Sequence, residues 1–499
     1  MNAPRLNLNT IRVVLALALA FFDARALLAD GSYREIDAYV EQQLKALNVA
    51  GASLAILEGD QITHMKGFGV SSPAGKTPTP QTLFYICSLT KSFTALAVMQ
   101  LVESGKIELD ERVQHYLPWF ALADSRAAAQ LTVRHLLNQT SGLTIKSEWQ
   151  TLVDFDSSPN ATEKQSRQLA TFRPSRPVGS KFEYTNTNYN LLGLIVEVAS
   201  GEKYADYVQS HIFGPLDMNH SYTSKAMARH DDMSSGYISW FGVPSPVPDL
   251  PAPTGSLPSG QIISCAEDMA HFLIAQLNGG SYRGIQILSA EGIAAMHRPA
   301  VDATTVGIPL GYGMGWFSEN TTEGARIWHD GTAPDYFTYM ALLPEQNKGM
   351  ILLINTNELI LNFAEFSFLG GDIASLLAGA QPPTRSWAMI PWILRAFLLI
   401  PLLQILGVLV IVRAVRRWRQ DAGRRPGAIL KWVYILLLPI PNLALLFGAL
   451  YLVASGVLRF WLLYMADLSW LILVCGGFAL VWIIVRTRIL LGAFRTSRA

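Results

Sequence analysis

The period of apolar and polar positions changes along the chain. "GASLAILEGDQITHMKGFGVSS" alternates apolar and polar residues on either side of Gly59-Asp60, the pattern of two strands joined by a tight turn. From Ser88 the spacing becomes helical: Leu89, Phe93, Leu96, Ala97, Met99 and Val102 recur until Ser104-Gly105 stops the run. "NYNLLGLIVEVASG" (188–201) and "AEDMAHFLIAQLNGG" (266–280) predict two further helices. "FTYMALLPEQNKGMILLINT" reads as two strands around a Pro-Glu-Gln-Asn-Lys turn. A last helix follows at about 362–378, and "GAQPPTRS" reads as a linker. Strands at both ends with helices between them predict a mixed α/β (α+β) domain whose terminal segments share one sheet.

Beyond the linker the pattern is apolar all round. "ILRAFLLIPLLQILGVLVIV" (393–412), "WVYILLLPIPNLALLFGALYLVA" (432–454) and "LLYMADLSWLILVCGGFALVWIIV" (462–485) are each long enough for about 30 Å of hydrocarbon. The connection 413–431 carries seven Lys/Arg and the tail 486–499 four, whereas 455–461 has only Arg459. The positive-inside rule therefore places the basic loop and tail in the cytoplasm and everything before residue 393 outside. Asp467 falls near the outer end of the third run, and the plain reading of all three is an anchor in the lipid bilayer.

The N-terminus leads to the same side. Arg5 and Arg12 precede the apolar "VVLALALAFF" (13–22) and a small-x-small site at Ala24–Ala26, which fits either a secretory signal peptide or an uncleaved anchor. Composition divides the chain the same way. Of 39 Lys/Arg and 38 Asp/Glu, 14 and two lie from Arg385 onward, leaving 25 and 36 before it. The acidic part has no basic stripe, which argues against a nucleic-acid partner. Three cysteines, Cys87, Cys265 and Cys475, allow at most one disulfide, Cys87–Cys265, because Cys475 lies in an apolar run. No histidine pair has metal-ligand spacing, and "RHDDM" (229–233) reads as a solvated loop, so no metal or cofactor is expected. "GFGVSSPAGKTP" looks like a phosphate loop, but Val70 stands where the first glycine is needed.

Candidate chemistry begins at "FYICSLTKSF". Ser88 and Lys91 at i, i+3 share one helix face near an N-terminus, where free N–H groups suit a nucleophile and a developing oxyanion. A buried lysine could take the serine proton. By itself the pair is equally a capping serine beside an exposed lysine. "KFEYTNTNYNLLGLIVE" (181–197) places Tyr184 and Asn186 just before a helix, and "IWHDGTAPDYFTYMALL" (327–343) places His329 and Gly331 before a strand.

Together, S-x-x-K at 88–91, Y-x-N at 184–186 and H-x-G at 329–331 resemble the serine β-lactamase and penicillin-binding-protein superfamily. Within it they look most like the class C-type branch of D,D-carboxypeptidases, D-aminopeptidases and esterases. "LTVRHLLNQTSGL", "GPLDMNHSYTS" and "GYGMGW" match in kind, and the resemblance covers roughly residues 33–378. It implies a transpeptidase-like fold, with an antiparallel sheet flanked by helices plus an all-helical domain. It implies Ser88 as the acylated nucleophile, Lys91 as its base partner and Tyr184 as proton shuttle. Asn186 would bind the substrate amide, and His329 would line the site on an edge strand, where many β-lactamases have the lysine of K-T-G. The N–H groups of Ser88 and of Thr332, after Gly331, would form the oxyanion hole. His329 argues against an efficient β-lactamase. No G-x-S-x-G elbow supports an α/β-hydrolase.

The expected organisation is a signal peptide (1–26), a serine hydrolase domain (27–378), a linker (379–392), three membrane helices (393–485) and a cytoplasmic tail (486–499). The expected activity is hydrolysis, through an acyl-enzyme outside the cytoplasm, of D-residue peptides such as cell-wall peptide, or of esters. The alternatives are a penicillin-binding or sensor-like protein acylated with little turnover, and a β-lactamase.

Overall fold

The computed structural model describes residues 33–148, 154–248, 253–304, 309–358, 366–381, 389–420 and 440–495. The expected signal segment, residues 421–439 and the end of the tail lie outside these.

The hairpin at Gly59-Asp60 forms as expected. β1 (Gly51–Glu58) and β2 (Gln61–Gly69) pair antiparallel, and Gly59 takes the left-handed backbone (φ 61°) that the reversal needs. The small strands β3 (Tyr237–Trp240) and β4 (Val243–Pro246) make a separate hairpin. The chain then completes the main sheet with β5 (Val301–Asp302), β6 (Gly311–Tyr312), β7 (Phe317–Thr321), β8 (Gly324–Thr332), β9 (Phe337–Leu343) and β10 (Lys348–Ile354). Its order is β2-β1-β10-β9-β8-β7-β6-β5, all antiparallel. β1 lies against β10, so the two ends of the domain share one sheet.

Alternation along β1 serves two cores. Leu54 and Ile56 face one with the helix over residues 33–47 (α1), while Ala55 and Leu57 face the other. On this second face lies α2 (Thr90–Glu103), buried along most of its length with Lys91, Ser92 and Thr94 among its buried residues. Phe93 stacks on Phe272 at 4.0 Å between ring centroids, joining α2 to the later helix α4 (Ala266–Leu277). α3 (Asn186–Ser200) packs on α2 from the helix-rich lobe. α5 (Ser367–Leu377) closes the first core beside α1; the start of the expected 362–378 helix lies outside the described residues. Both Cys87 and Cys265 are free thiols, so the possible disulfide is not formed. The "RHDDM" loop is held by Asp232 bonded to Lys76 (2.6 Å) and Thr82 (2.8 Å).

The membrane region departs from three straight spans. The stretch Ile390–Arg417, which includes most of α6 (Leu399–Gln420), and Ala466–Arg488 are long and apolar enough to cross. α7 (Ile440–Ala454) and α8 (Leu458–Tyr464) meet at 107° and would count as a third span only together. Gly456, in the left-handed region at φ 74°, breaks the helix there. The first residues of the expected third run thus belong to α8, and α9 runs Ala466–Arg495. Gln404 on α6 donates to Asn442 on α7 (2.7 Å) and to the Cys475 carbonyl on α9 (3.0 Å), a polar tie among three apolar helices.

Candidate active site

Ser88 leaves a strained turn. Cys87 holds a left-handed backbone (φ 51°) in the 3-10 turn Cys87–Leu89 that leads into α2. Neighbouring strands pin this turn: the Ile86 N–H donates to the Ile262 carbonyl (3.0 Å), and Thr338 Oγ1 on β9 donates to the Ile86 carbonyl (2.9 Å). Packing against Tyr85 and Tyr336, Cys87 is only 1% exposed, and burial pushes its thiol pKa well up. A buried thiol of this kind is unreactive, and it packs directly behind Ser88.

Lys91 is fully buried, with its Nζ 2.9 Å from Ser88 Oγ, 2.6 Å from Asn186 Oδ1 and 2.8 Å from the Ser259 carbonyl. Three partners satisfy the three donors of an ammonium. A neutral amine can give two N–H bonds to Asn186 and Ser259 and aim its lone pair at the Ser88 hydroxyl. Burial pushes the Lys91 pKa down from the ordinary lysine value, against the pull of the nearby Glu148 carboxylate. The Tyr184 ring lies 4.9 Å from Lys91 Nζ. Burial raises the phenol pKa well above its usual value, against the opposing pull of the nearby Ser88 hydroxyl, so Tyr184 keeps its proton in the resting site. Ser88, Asn186 and Thr332 line one cleft, with Gly331 just before Thr332 at the end of β8.

A buried amine and a phenol thus converge on one serine hydroxyl. The Beta-lactamase family model matches residues 36–365, about two thirds of the chain. The chain belongs to the Beta-lactamase family. Protein flp of Staphylococcus aureus (strain MW2) is 28% identical over 343 residues, 66% of this chain and 64% of the relative. The chain therefore spans somewhat less than two thirds of that protein's length. Penicillin-binding protein 4 of Amycolatopsis lactamdurans is 28% identical over 342 residues, covering 67% of this chain and 88% of the relative. Among solved structures, the octameric penicillin-binding protein homologue from Pyrococcus abyssi superposes with a TM-score of 0.59 at 28% identity, covering 70% of this chain and 78% of that one. D-alanine carboxypeptidase AmpC from Burkholderia cenocepacia (TM-score 0.56, 20% identity, 70% and 99% coverage) shares the fold.

Against this Beta-lactamase frame, His329 is the residue whose placement differs from expectation. β8 lies between β7 and β9, so it is an interior strand and not an edge. The His329 ring is fully buried, 6.2 Å from the Tyr184 ring and 5.2 Å from Phe317. Desolvation, reinforced by the charge of Lys91, pushes its pKa down to about 3, so the imidazole is neutral. Its Nδ1–H then donates to the Asp330 carbonyl. His329 supports Tyr184 from behind; it does not stand on the cleft wall.

Sequence reasoning missed Glu148. Only 3% exposed, this carboxylate accepts from Thr185 Oγ1 (2.9 Å) and from the N–H groups of Asn186 (2.5 Å) and Thr187 (3.2 Å). It caps α3 and so fixes Asn186, whose amide holds Lys91. Burial raises the Glu148 pKa, and the Lys91 charge opposes that rise. No local motif marks it, because an acid in a polar loop reads as solvated.

Proposed function

We propose that this protein is a membrane-anchored serine hydrolase that acts through an acyl-enzyme on the outer side of the membrane. The observation that carries this reading is the buried Lys91 bonded to Ser88, with its other two donor directions occupied by Asn186 and Ser259. Lys91 takes the Ser88 proton as Oγ attacks the substrate carbonyl. The N–H groups of Ser88 and Thr332 receive the oxyanion, and Tyr184 passes a proton to the leaving group. Water then hydrolyses the Ser88 ester. The substrates are D-residue peptides of the D,D-carboxypeptidase or D-aminopeptidase type, or esters. Kinship with a penicillin-binding protein and a fold shared with a D-alanine carboxypeptidase support this class. The basic 413–431 loop and tail, against the single Arg459 in 455–461, support the outward side.

The test is a turnover panel on the full-length protein in detergent: p-nitrophenyl esters, D-alanyl dipeptides and a fluorescent penicillin. Steady release of product, lost in Ser88→Ala, is expected. Penicillin label that persists on Ser88 with no turnover of any substrate would favour an acylated receptor instead.

A further inference from the structure

The residues lining the cleft do not all come from the catalytic domain. Leu463 and Tyr464, at the end of α8, line the same cleft as Ser88, Asn186 and Thr332. α8 bends 107° away from α7 and is followed directly by α9, and the proposed topology puts this short connection on the outer side. Its aromatic residues Phe460, Trp461 and Tyr464 are of the kind that settle at a membrane–water interface.

A buried clamp holds this arrangement. Asp467, three residues after Tyr464 and 2% exposed, accepts the Phe241 N–H (2.9 Å) at the tip of the β3–β4 hairpin. Phe241 packs on Leu471 and Cys475 of α9. From the other side, Arg395 (3.2 Å) and Asn48 (3.0 Å) both donate to the Gly242 carbonyl. A freely swinging tether would need none of these bonds. A carboxylate near the end of a membrane helix is costly unless partnered, and here the partner is the catalytic domain's own backbone.

We infer that α8 is a substrate-recognition wall of the active site, and that Leu463 and Tyr464 contact an alkyl or aryl group on the acyl portion of the ester or amide attacked by Ser88. The inference rests on the acyl-enzyme reading for its chemistry, but the placement of α8 can be tested without it. With α8 in place the cleft is about 110 Å³, against the roughly 300–1,000 Å³ of common ligand sites. Leu463 and Tyr464 give this small cleft apolar surface beside the scissile carbonyl, where a longer acyl chain gains contact. This gives the membrane region a role beyond anchoring.

Two measurements on the full-length protein in detergent decide it. First, Ala333→Cys combined with Tyr464→Cys is treated with a short bismaleimide; the native cysteines are all buried. Mass spectrometry should find the cross-link across the cleft, and not in the control pair Ala333→Cys with Tyr451→Cys on α7. No link, or equal links in both pairs, would overturn the placement whether or not the protein turns over esters. Second, kcat/KM is compared for p-nitrophenyl hexanoate and acetate. Leu463→Ala and Tyr464→Ala should lower the hexanoate-to-acetate ratio on the order of tenfold, while Tyr464→Phe, which keeps the ring, should preserve it. An unchanged ratio in both alanine variants would overturn the recognition role. A cross-linked protein that hydrolyses neither ester would contradict ester hydrolysis and leave the wall standing.

Discussion

Lys91 and Glu148 set the chemistry of the candidate site as a pair. Burial lowers the lysine pKa and raises the carboxyl pKa, and each charge opposes the other's shift. The acid limb of the kcat/KM profile therefore belongs to the pair. In the proposed mechanism the neutral amine is the base, so activity should rise with pH through this limb. In Glu148→Gln the protonated lysine loses its counter-charge, and the limb should move to lower pH. A limb that stays in place or moves upward would show that Glu148 does not set Lys91's protonation. Ser88, Lys91, Tyr184 and Asn186 were legible in the sequence because three motifs occur in order. Glu148 was not, since its partners Thr185, Asn186 and Thr187 lie on a distant segment. Cys87 was not legible either: its positive φ and its packing against Tyr336 leave no local pattern.

Among the elements, β8 and the nucleophile turn depend on one close approach. A Cβ on Gly331 would meet Thr338 Oγ1 at 2.5 Å, Cys87 Cβ at 2.8 Å and the Ile86 carbonyl oxygen at 2.8 Å. Two of these atoms belong to the turn that carries Ser88, so Gly331→Ala must push the strand and the turn apart. The expected cost is about 1–3 kcal/mol of stability and, through misplacement of Ser88 against Thr332, on the order of a hundredfold in kcat/KM. Thermal unfolding and ester kinetics on the same sample check both; wild-type activity in Gly331→Ala would remove this account of the glycine. The β1–β2 hairpin and the β9–β10 pair were readable from alternation and turn residues. The interior position of β8 was not, because neighbour order across a sheet leaves no local pattern. Gly456 falls in the expected connection 455–461; what no local pattern showed is that Leu458–Tyr464, just after it, forms a helix bent away from the one before.

Across the whole molecule, the proposed topology rests on the basic loop and tail, and intact cells can report it. A membrane-impermeant maleimide should label Arg459→Cys, exposed on α8, from outside. It should reach Arg424→Cys in the basic loop only after lysis. Labelling of Arg424→Cys in intact cells would reverse the orientation and remove the candidate site from the outer surface. The anchor was legible as apolar length; its dock through Asp467 and Phe241 was not, because the two lie in different domains of the chain. The central claim is that Ser88 is acylated with Lys91 as its base. Its most direct test is peptide mapping of the full-length protein after brief exposure to a fluorescent penicillin or a p-nitrophenyl ester. The account predicts a covalent adduct on the peptide containing Ser88, absent in Ser88→Ala and slowed at least about a thousandfold in Lys91→Ala. An adduct on another residue, or equal turnover by Ser88→Ala, would contradict it.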